Sequence, residues 1–214
     1  MILVTGGCRS GKSGYAQGVA EALAPNRLYV ATAEACDEAM RERIERHRQA
    51  RDASWHTLEL PMGFGLGRQG VSPVEREGAS CGRANICSGE PLTNEAGVLF
   101  TTGDFARFFA GYGGQGRVVL VDCLTLWVSG LMALGAKERQ IQGLATALLA
   151  SLRGLACPVV VVTNEVGLGG IAATRQTREF CDVAGMVNQL VASEAETVVF
   201  VVSGLPMTIK GMVP

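Results

Sequence analysis

Five short runs of apolar, mostly β-branched residues punctuate the chain, at residues 2–5, 28–32, 118–121, 159–163 and 198–202. Runs this short and this continuously apolar predict strands buried on both faces, because a strand with one wet face would alternate polar and apolar positions. Between most of them apolar residues return every three or four positions, which predicts helices over 13–24, 37–49, 124–134, 137–155 and 177–195. Strands alternating with helices in this way predict an α/β fold with a mostly parallel central sheet covered on both faces.

In an open parallel sheet ligands bind beyond the carboxyl ends of the strands, so the residues after each run are where chemistry is expected. The first run leads directly into Gly6-Gly7-Cys8-Arg9-Ser10-Gly11-Lys12-Ser13, which satisfies every fixed position of the phosphate-loop pattern G-x-x-x-x-G-K-[ST]. Its glycines let backbone N–H groups curl around a polyphosphate, Lys12 neutralises the terminal phosphates, and the Ser13 hydroxyl is a ligand for Mg²⁺. A helical pattern follows, with Tyr15, Val19, Ala20 and Leu23 on one face, and adds its positive N-terminal end. The strand–loop–helix context separates a nucleotide site from a chance tight turn in a chain with 28 glycines.

Asp122 ends the third run, the position of an acidic residue that holds Mg²⁺ through water beside a phosphate loop; the alternative is an N-cap for the next helix. Asn164 and Glu165 follow the fourth run, where they are placed to contact nucleotide or acceptor. Glu165 reads equally as a base for an acceptor hydroxyl and as a cap for the next segment. Ser203 and Gly204 follow the fifth run. The chain has only two histidines. Met40, Ile44 and His47 fall on one face of the predicted helix 37–49, and a histidine ending such a stripe is more often packed than catalytic. His56, next to Trp55, reads as a surface or packing residue.

Composition narrows the partners. At 214 residues the chain fits a single domain, and a net charge of −1 offers no basic face for nucleic acid. No apolar run approaches the ~20 residues of a membrane helix, and the chain enters a strand without a leader pattern, so a cytoplasmic protein acting on small molecules is expected. Seven scattered cysteines, at 8, 36, 81, 87, 123, 157 and 181, read as reduced thiols, and the Cys81/Cys87 spacing matches no common metal pattern. Residues 63–116 hold 13 of the 28 glycines and little periodicity, which predicts a long loop or insertion, with the apolar piece 105–109 returning it to the core.

Several local patterns together resemble one family. The segment from Ile2 through Ser13, the Leu28-Tyr29-Val30-Ala31-Thr32 strand, and Arg43-Ile44 followed by His47 and Trp55 look like the bifunctional adenosylcobinamide kinase/adenosylcobinamide-phosphate guanylyltransferase family. So do Val121-Asp122-Cys123-Leu124-Thr125-Leu126-Trp127-Val128, Val162-Thr163-Asn164-Glu165-Val166-Gly167, then Arg178, Phe180, Asp182, Gly185 and Asn188, and Val202-Ser203-Gly204. The resemblance covers the chain except for roughly residues 62–116. It implies a phosphate-loop NTPase-like, recombinase-type three-layer fold and two reactions. A nucleoside triphosphate, GTP or ATP, phosphorylates the aminopropanol hydroxyl of adenosylcobinamide, and GMP from GTP is then attached to that phosphate with release of pyrophosphate. In the family a histidine carries GMP covalently, and the matching position is His47; Lys12, the loop amides and Mg²⁺ at Ser13 and Asp122 would stabilise the leaving pyrophosphate. A homo-oligomer, commonly a trimer, is implied as well. The chain departs from the family's usual residues at Ala39, Ala172, Cys181 and Met186, where Glu, Pro, Arg and Arg are customary. Two other readings are a small-molecule kinase without guanylyl transfer and a nucleotide-binding regulatory GTPase.

Overall fold

The computed structural model describes residues 1–33, 38–49, 51–60, 74–75, 92–93, 99–100 and 104–213. Its elements, in chain order, are β1 (Ile2–Gly6), α1 (Lys12–Leu23), β2 (Asn26–Ala31), α2 (Glu38–Gln49), β3 (Trp55–Glu59), β4 (Val74–Glu75), β5 (Leu92–Thr93), β6 (Leu99–Phe100) and α3 (Asp104–Phe108). They continue with β7 (Arg117–Asp122), α4 (Leu124–Ala133), α5 (Glu138–Arg153), β8 (Val159–Val162), a 3-10 turn (Gly167–Gly169), α6 (Arg175–Glu194), β9 (Thr197–Val202) and β10 (Leu205–Lys210). The main sheet has the order β10-β9-β1-β8-β7-β2-β3-β4. From β9 to β3 neighbouring strands are parallel, while β10 and β4 add antiparallel edges.

The nearly unbroken apolar runs are explained by two cores, one on each face of the sheet. Odd and even positions of a strand point to opposite faces. Ile2, Val4, Val118, Leu120, Val160, Val162, Val199 and Val201 pack with Ala16, Val19 and Ala20 of α1. Their neighbours Leu3, Val119, Val121, Val159, Val161 and Val198 pack on the other face with α3 to α6. The second core is the larger. Trp127 of α4 is fully buried there, edge-on to Phe105 at 6.1 Å, and Phe108 and Phe109 are buried beside it, so the apolar piece 105–109 does return to the core. The Cys81/Cys87 pair and most of residues 63–103 lie outside the described residues.

Five described strands escaped the apolar-run reading: the two-residue β4, β5 and β6, which fall in the stretch 63–116 expected to be a loop or insertion, and the longer β3 and β10. β3 pairs with β2 in parallel, and its His56 is exposed while Trp55 is buried. β10 alternates exposed Leu205, Met207 and Ile209 with Pro206, Thr208 and Lys210, the pattern of an edge strand, which no uninterrupted apolar run could reveal.

The topology sets up the site. β8 lies between β1 and β7, so the carboxyl ends of β1 and β7 stand about 10 Å apart, two strand spacings. The loop after β1 and Asp122 at the end of β7 thus stand at the same edge of the sheet, across that gap.

Candidate active site

The loop after β1 is built to meet an anion. Helix α1 begins after Gly11, whose φ of 92° puts it in the left-handed region, and no side chain caps the helix. Its first N–H groups therefore have no side-chain partner and face the mouth of the loop, where an anion satisfies them. Lys12 is buried, and its ammonium donates to the Gly7 carbonyl at 3.1 Å. A carbonyl does not neutralise a cation, so the site keeps a net attraction for phosphate. The loop backbone is braced from both sides: the Glu165 N–H donates to Gly6 O at 3.0 Å, and the Gly204 N–H donates to Ser10 O at 2.8 Å. Gly6 permits no side chain, because a Cβ there would lie 2.5 Å from the Val201 carbonyl oxygen and 2.7 Å from Ser10 Oγ.

Asp122 ends β7 and receives the Tyr29 hydroxyl at 3.0 Å on one carboxylate oxygen. Burial first, then the charge of Asp122, holds the Tyr29 phenol well above its ordinary pKa, so it stays a donor. The N-cap of α4 is Cys123, not Asp122, and no side-chain bond caps it, which leaves the other Asp122 oxygen for the site. The Thr32 hydroxyl donates to Cys123 O at 2.7 Å and accepts from Cys123 N at 2.8 Å, fastening the chain just after the acid. Burial raises the Cys123 thiol to about 11, so it is no nucleophile here.

His47 stands between two cavities. One, of about 510 Å³, is lined by Ser13, Tyr29, Arg51 and Asp122 together with Met40, Ile44 and His47. The other, of about 730 Å³, runs along the phosphate loop and is lined by Arg9, Ser10, Gly11, Lys12 and Ser13 with Arg43, Arg46 and His47 of α2. The Met40–Ile44–His47 stripe thus faces these cavities; α2 has no fully buried residue. Partial burial lowers the His47 pKa; Asp122 opposes the shift and Arg43, Arg51 and Arg46 reinforce it. The imidazole is therefore neutral at pH 7, the form with a free lone pair.

Arg51, which sequence reasoning passed over, lies with its guanidinium 3.7 Å above the Tyr29 ring, and its buried Nη1 has no hydrogen-bond partner among the described residues. Arg48 is paired with Glu59 at 2.8 Å. Nothing local in the sequence marks Tyr29 or Arg51, since their approach to Asp122 depends on β2 lying beside β7 with Ala31 opposite Asp122. Asn164 and Glu165 line neither cavity. The Glu165 carboxylate accepts the Gly167 N–H at 2.9 Å, a local bond at the start of the 3-10 turn whose N-cap is Val166. The Asn164 backbone is held in a ring of bonds: its N–H donates to Thr125 Oγ1 at 2.6 Å, its carbonyl accepts from Asn188 Nδ2 at 2.9 Å, and Thr163 Oγ1 donates to Asn188 Oδ1 at 2.6 Å. Cys181 and Met186 are half-buried in α6, with Met186 packed on the larger core.

Comparison with known proteins shows the family. The family model described as cobinamide kinase / cobinamide phosphate guanyltransferase matches residues 2–66 and 99–209. A bifunctional adenosylcobalamin biosynthesis protein, CobU, of Salmonella typhimurium is 36% identical over 225 residues, covering 98% of this chain and 99% of its own length. One named CobP, of Pseudomonas aeruginosa, is 34% identical over 209 residues, covering 98% and 96%. In fold, the chain is similar to a solved structure from Pyrococcus horikoshii OT3, with a TM-score of 0.55 at 9% identity over 99% of this chain and 86% of that one. A family match across most of the chain and relatives a third identical from end to end lead to one assignment: the chain belongs to the cobinamide kinase / cobinamide phosphate guanyltransferase family.

Proposed function

We propose that this chain phosphorylates the aminopropanol hydroxyl of adenosylcobinamide, then attaches GMP from GTP to that phosphate through a covalent guanylyl-histidine on His47, giving adenosylcobinamide-GDP and pyrophosphate. The observation that carries the reading is the position of His47, neutral and half-buried in the wall between the phosphate-loop cavity and the cavity that holds Asp122.

In the kinase step Lys12, the loop amides and the start of α1 hold the polyphosphate and stabilise charge as the γ-phosphoryl group moves to the acceptor hydroxyl. In guanylyl transfer a ring nitrogen of His47 attacks the α-phosphorus of GTP, and the same loop stabilises the departing pyrophosphate. Mg²⁺ accepts few protein ligands and keeps several waters, and the Ser13 hydroxyl and Asp122 carboxylate, lining one cavity, fit that demand. Bound there, the ion would neutralise charge on the phosphates. Tyr29 orients Asp122 through its hydrogen bond. Glu165, committed to its turn, acts on loop geometry.

His47→Ala is expected to abolish GMP transfer while sparing phosphorylation of cobinamide, because phosphoryl transfer needs no covalent enzyme intermediate; unchanged GMP transfer sinks the assignment. Lys12→Ala is expected to impair both reactions, and full activity in both would separate their phosphate sites. The neutral Cys181 and Met186 favour a second reading, a kinase without guanylyl transfer, which predicts phosphorylated cobinamide and no protein-bound GMP. Among the described residues no helix is long and apolar enough to cross a membrane. A cytoplasmic homo-oligomer, a trimer, completes the proposal, and sedimentation equilibrium tests its stoichiometry.

A further inference from the structure

We propose that the phosphate-loop cavity has a second occupant during guanylyl transfer: after pyrophosphate leaves, the same loop holds the phosphate of cobinamide phosphate for its attack on guanylylated His47. The inference rests on the reading of His47 as the GMP carrier.

Phosphoryl-type displacements place the entering and leaving groups roughly in line. When His47 attacks, its nitrogen forms an N–P bond and the bond from the α-phosphorus to pyrophosphate breaks, the electron pair leaving on pyrophosphate. Pyrophosphate must then lie opposite His47 across the phosphorus, on the side of Lys12 and the loop. In the second step the N–P bond is the one that breaks, its electron pair returning to the imidazole, and a phosphate oxygen of the acceptor forms the new O–P bond. The in-line requirement now places that oxygen opposite His47, where pyrophosphate had been. His47 is regenerated, and no further reactant is needed.

The charges agree with the stereochemistry. Among the described residues, Lys12 in the loop cavity has only a carbonyl partner, Arg9 and Arg46 have no ion pair and Glu42 is the one carboxylate in the lining, while Arg43, also without an ion pair, borders both cavities. In the other cavity Arg48 is paired with Glu59 and Arg41 with Glu38, and Asp122 and Glu45 add negative charge against Arg51, which stacks on Tyr29 without an ion pair among the described residues. Unspent positive charge is therefore concentrated on the loop side of His47. A phosphomonoester, carrying about −1.5 to −2 at pH 7, suits it as well as pyrophosphate does.

The test uses His47→Asn, which cannot form the adduct and so binds both ligands without reaction. Cobinamide phosphate binding is followed by equilibrium dialysis, reading corrin absorbance, against rising Mg-pyrophosphate. The proposal expects strict competition, with the apparent Kd rising about tenfold at pyrophosphate nine times its own Kd. It also expects Arg46→Ala, in the same background, to weaken cobinamide phosphate about tenfold and unphosphorylated cobinamide not at all. An unchanged Kd at saturating pyrophosphate overturns it. A second measurement needs no variant: isolated guanylylated wild-type protein is discharged by cobinamide phosphate in the presence of sulfate. A raised apparent KM with an unchanged maximal rate supports the shared site, whereas a lowered maximal rate with an unchanged KM overturns it. Failure of the wild-type protein to form any GMP adduct from GTP overturns the His47 reading itself; an adduct without competition overturns only the shared site.

Discussion

A histidine attacks phosphorus only while one ring nitrogen keeps its lone pair, so in the proposed mechanism the protonation of His47 decides when the second reaction runs. Burial is the largest cause of its lowered pKa; Asp122 pulls the other way, and Arg43, Arg51 and Arg46 each add to the lowering. The folded-state pKa therefore lies below the ordinary 6.5. Adduct formation is expected to be flat at neutral pH and to fall on the acid side with a midpoint below 6.5; a midpoint above 6.5 in a stopped-time pH profile contradicts the assignment. The same shift means that the unfolded chain binds the proton more readily. His47 therefore subtracts stability as pH falls through 6.5 toward its folded-state pKa. Tyr29→Phe removes one hydrogen bond to a carboxylate, a change of about 1.5 kcal/mol. The expected signature is a higher Mg²⁺ requirement in both reactions, read from rates against metal concentration; an unchanged requirement would remove Tyr29 from the positioning of Asp122. Lys12 and Ser13 were legible because their motif is contiguous, and His47 became legible only through the resemblance. Tyr29 and Arg51 were not, since each matters only through chain segments brought beside it by folding.

Among the elements, β1 and its loop tolerate least. Gly6→Ala would drive a methyl group into the Val201 carbonyl of the neighbouring strand and into Ser10 Oγ, so β1 and β9 would have to part or the loop would have to shift. Loss of soluble protein, or loss of nucleotide binding in whatever folds, is expected; a variant that binds GTP normally in isothermal titration would contradict this. The end of β8 depends on side chains. Asn188→Ala would leave the Asn164 carbonyl without its partner and the Thr163 hydroxyl with Thr125 alone, and at ~1–3 kcal/mol for an unsatisfied group the loss should be plain in urea unfolding. The predicted helices match α1, α2, α4, α5 and α6 to within a few residues, because each carries a regular apolar face. Helix α2 shows the limit of that logic: its stripe is real but faces two open cavities rather than a core. β3 and β10 were invisible for the opposite reason, one being mixed in character and the other an exposed edge.

At the scale of the molecule, the doubly buried sheet is what gives the site its stiffness. Strands with both faces packed cannot slide by one residue without turning every apolar side chain to the wrong core, so β1, β7 and β8 deliver their carboxyl ends at a fixed spacing. The sheet's parallel character followed from the apolar runs, but the strand order did not, because no local pattern records that β8 inserts between β1 and β7. That order places the phosphate loop and Asp122 across a gap, with His47 of α2 brought in beside them. The account as a whole stands on a covalent bond between His47 and GMP. The direct measurement is incubation with Mg²⁺ and GTP labelled at the α-phosphate, followed by denaturing electrophoresis, acid and base treatment, and peptide mapping. The account predicts an acid-labile, base-stable label on His47; GTP that binds yet leaves no label would contradict it.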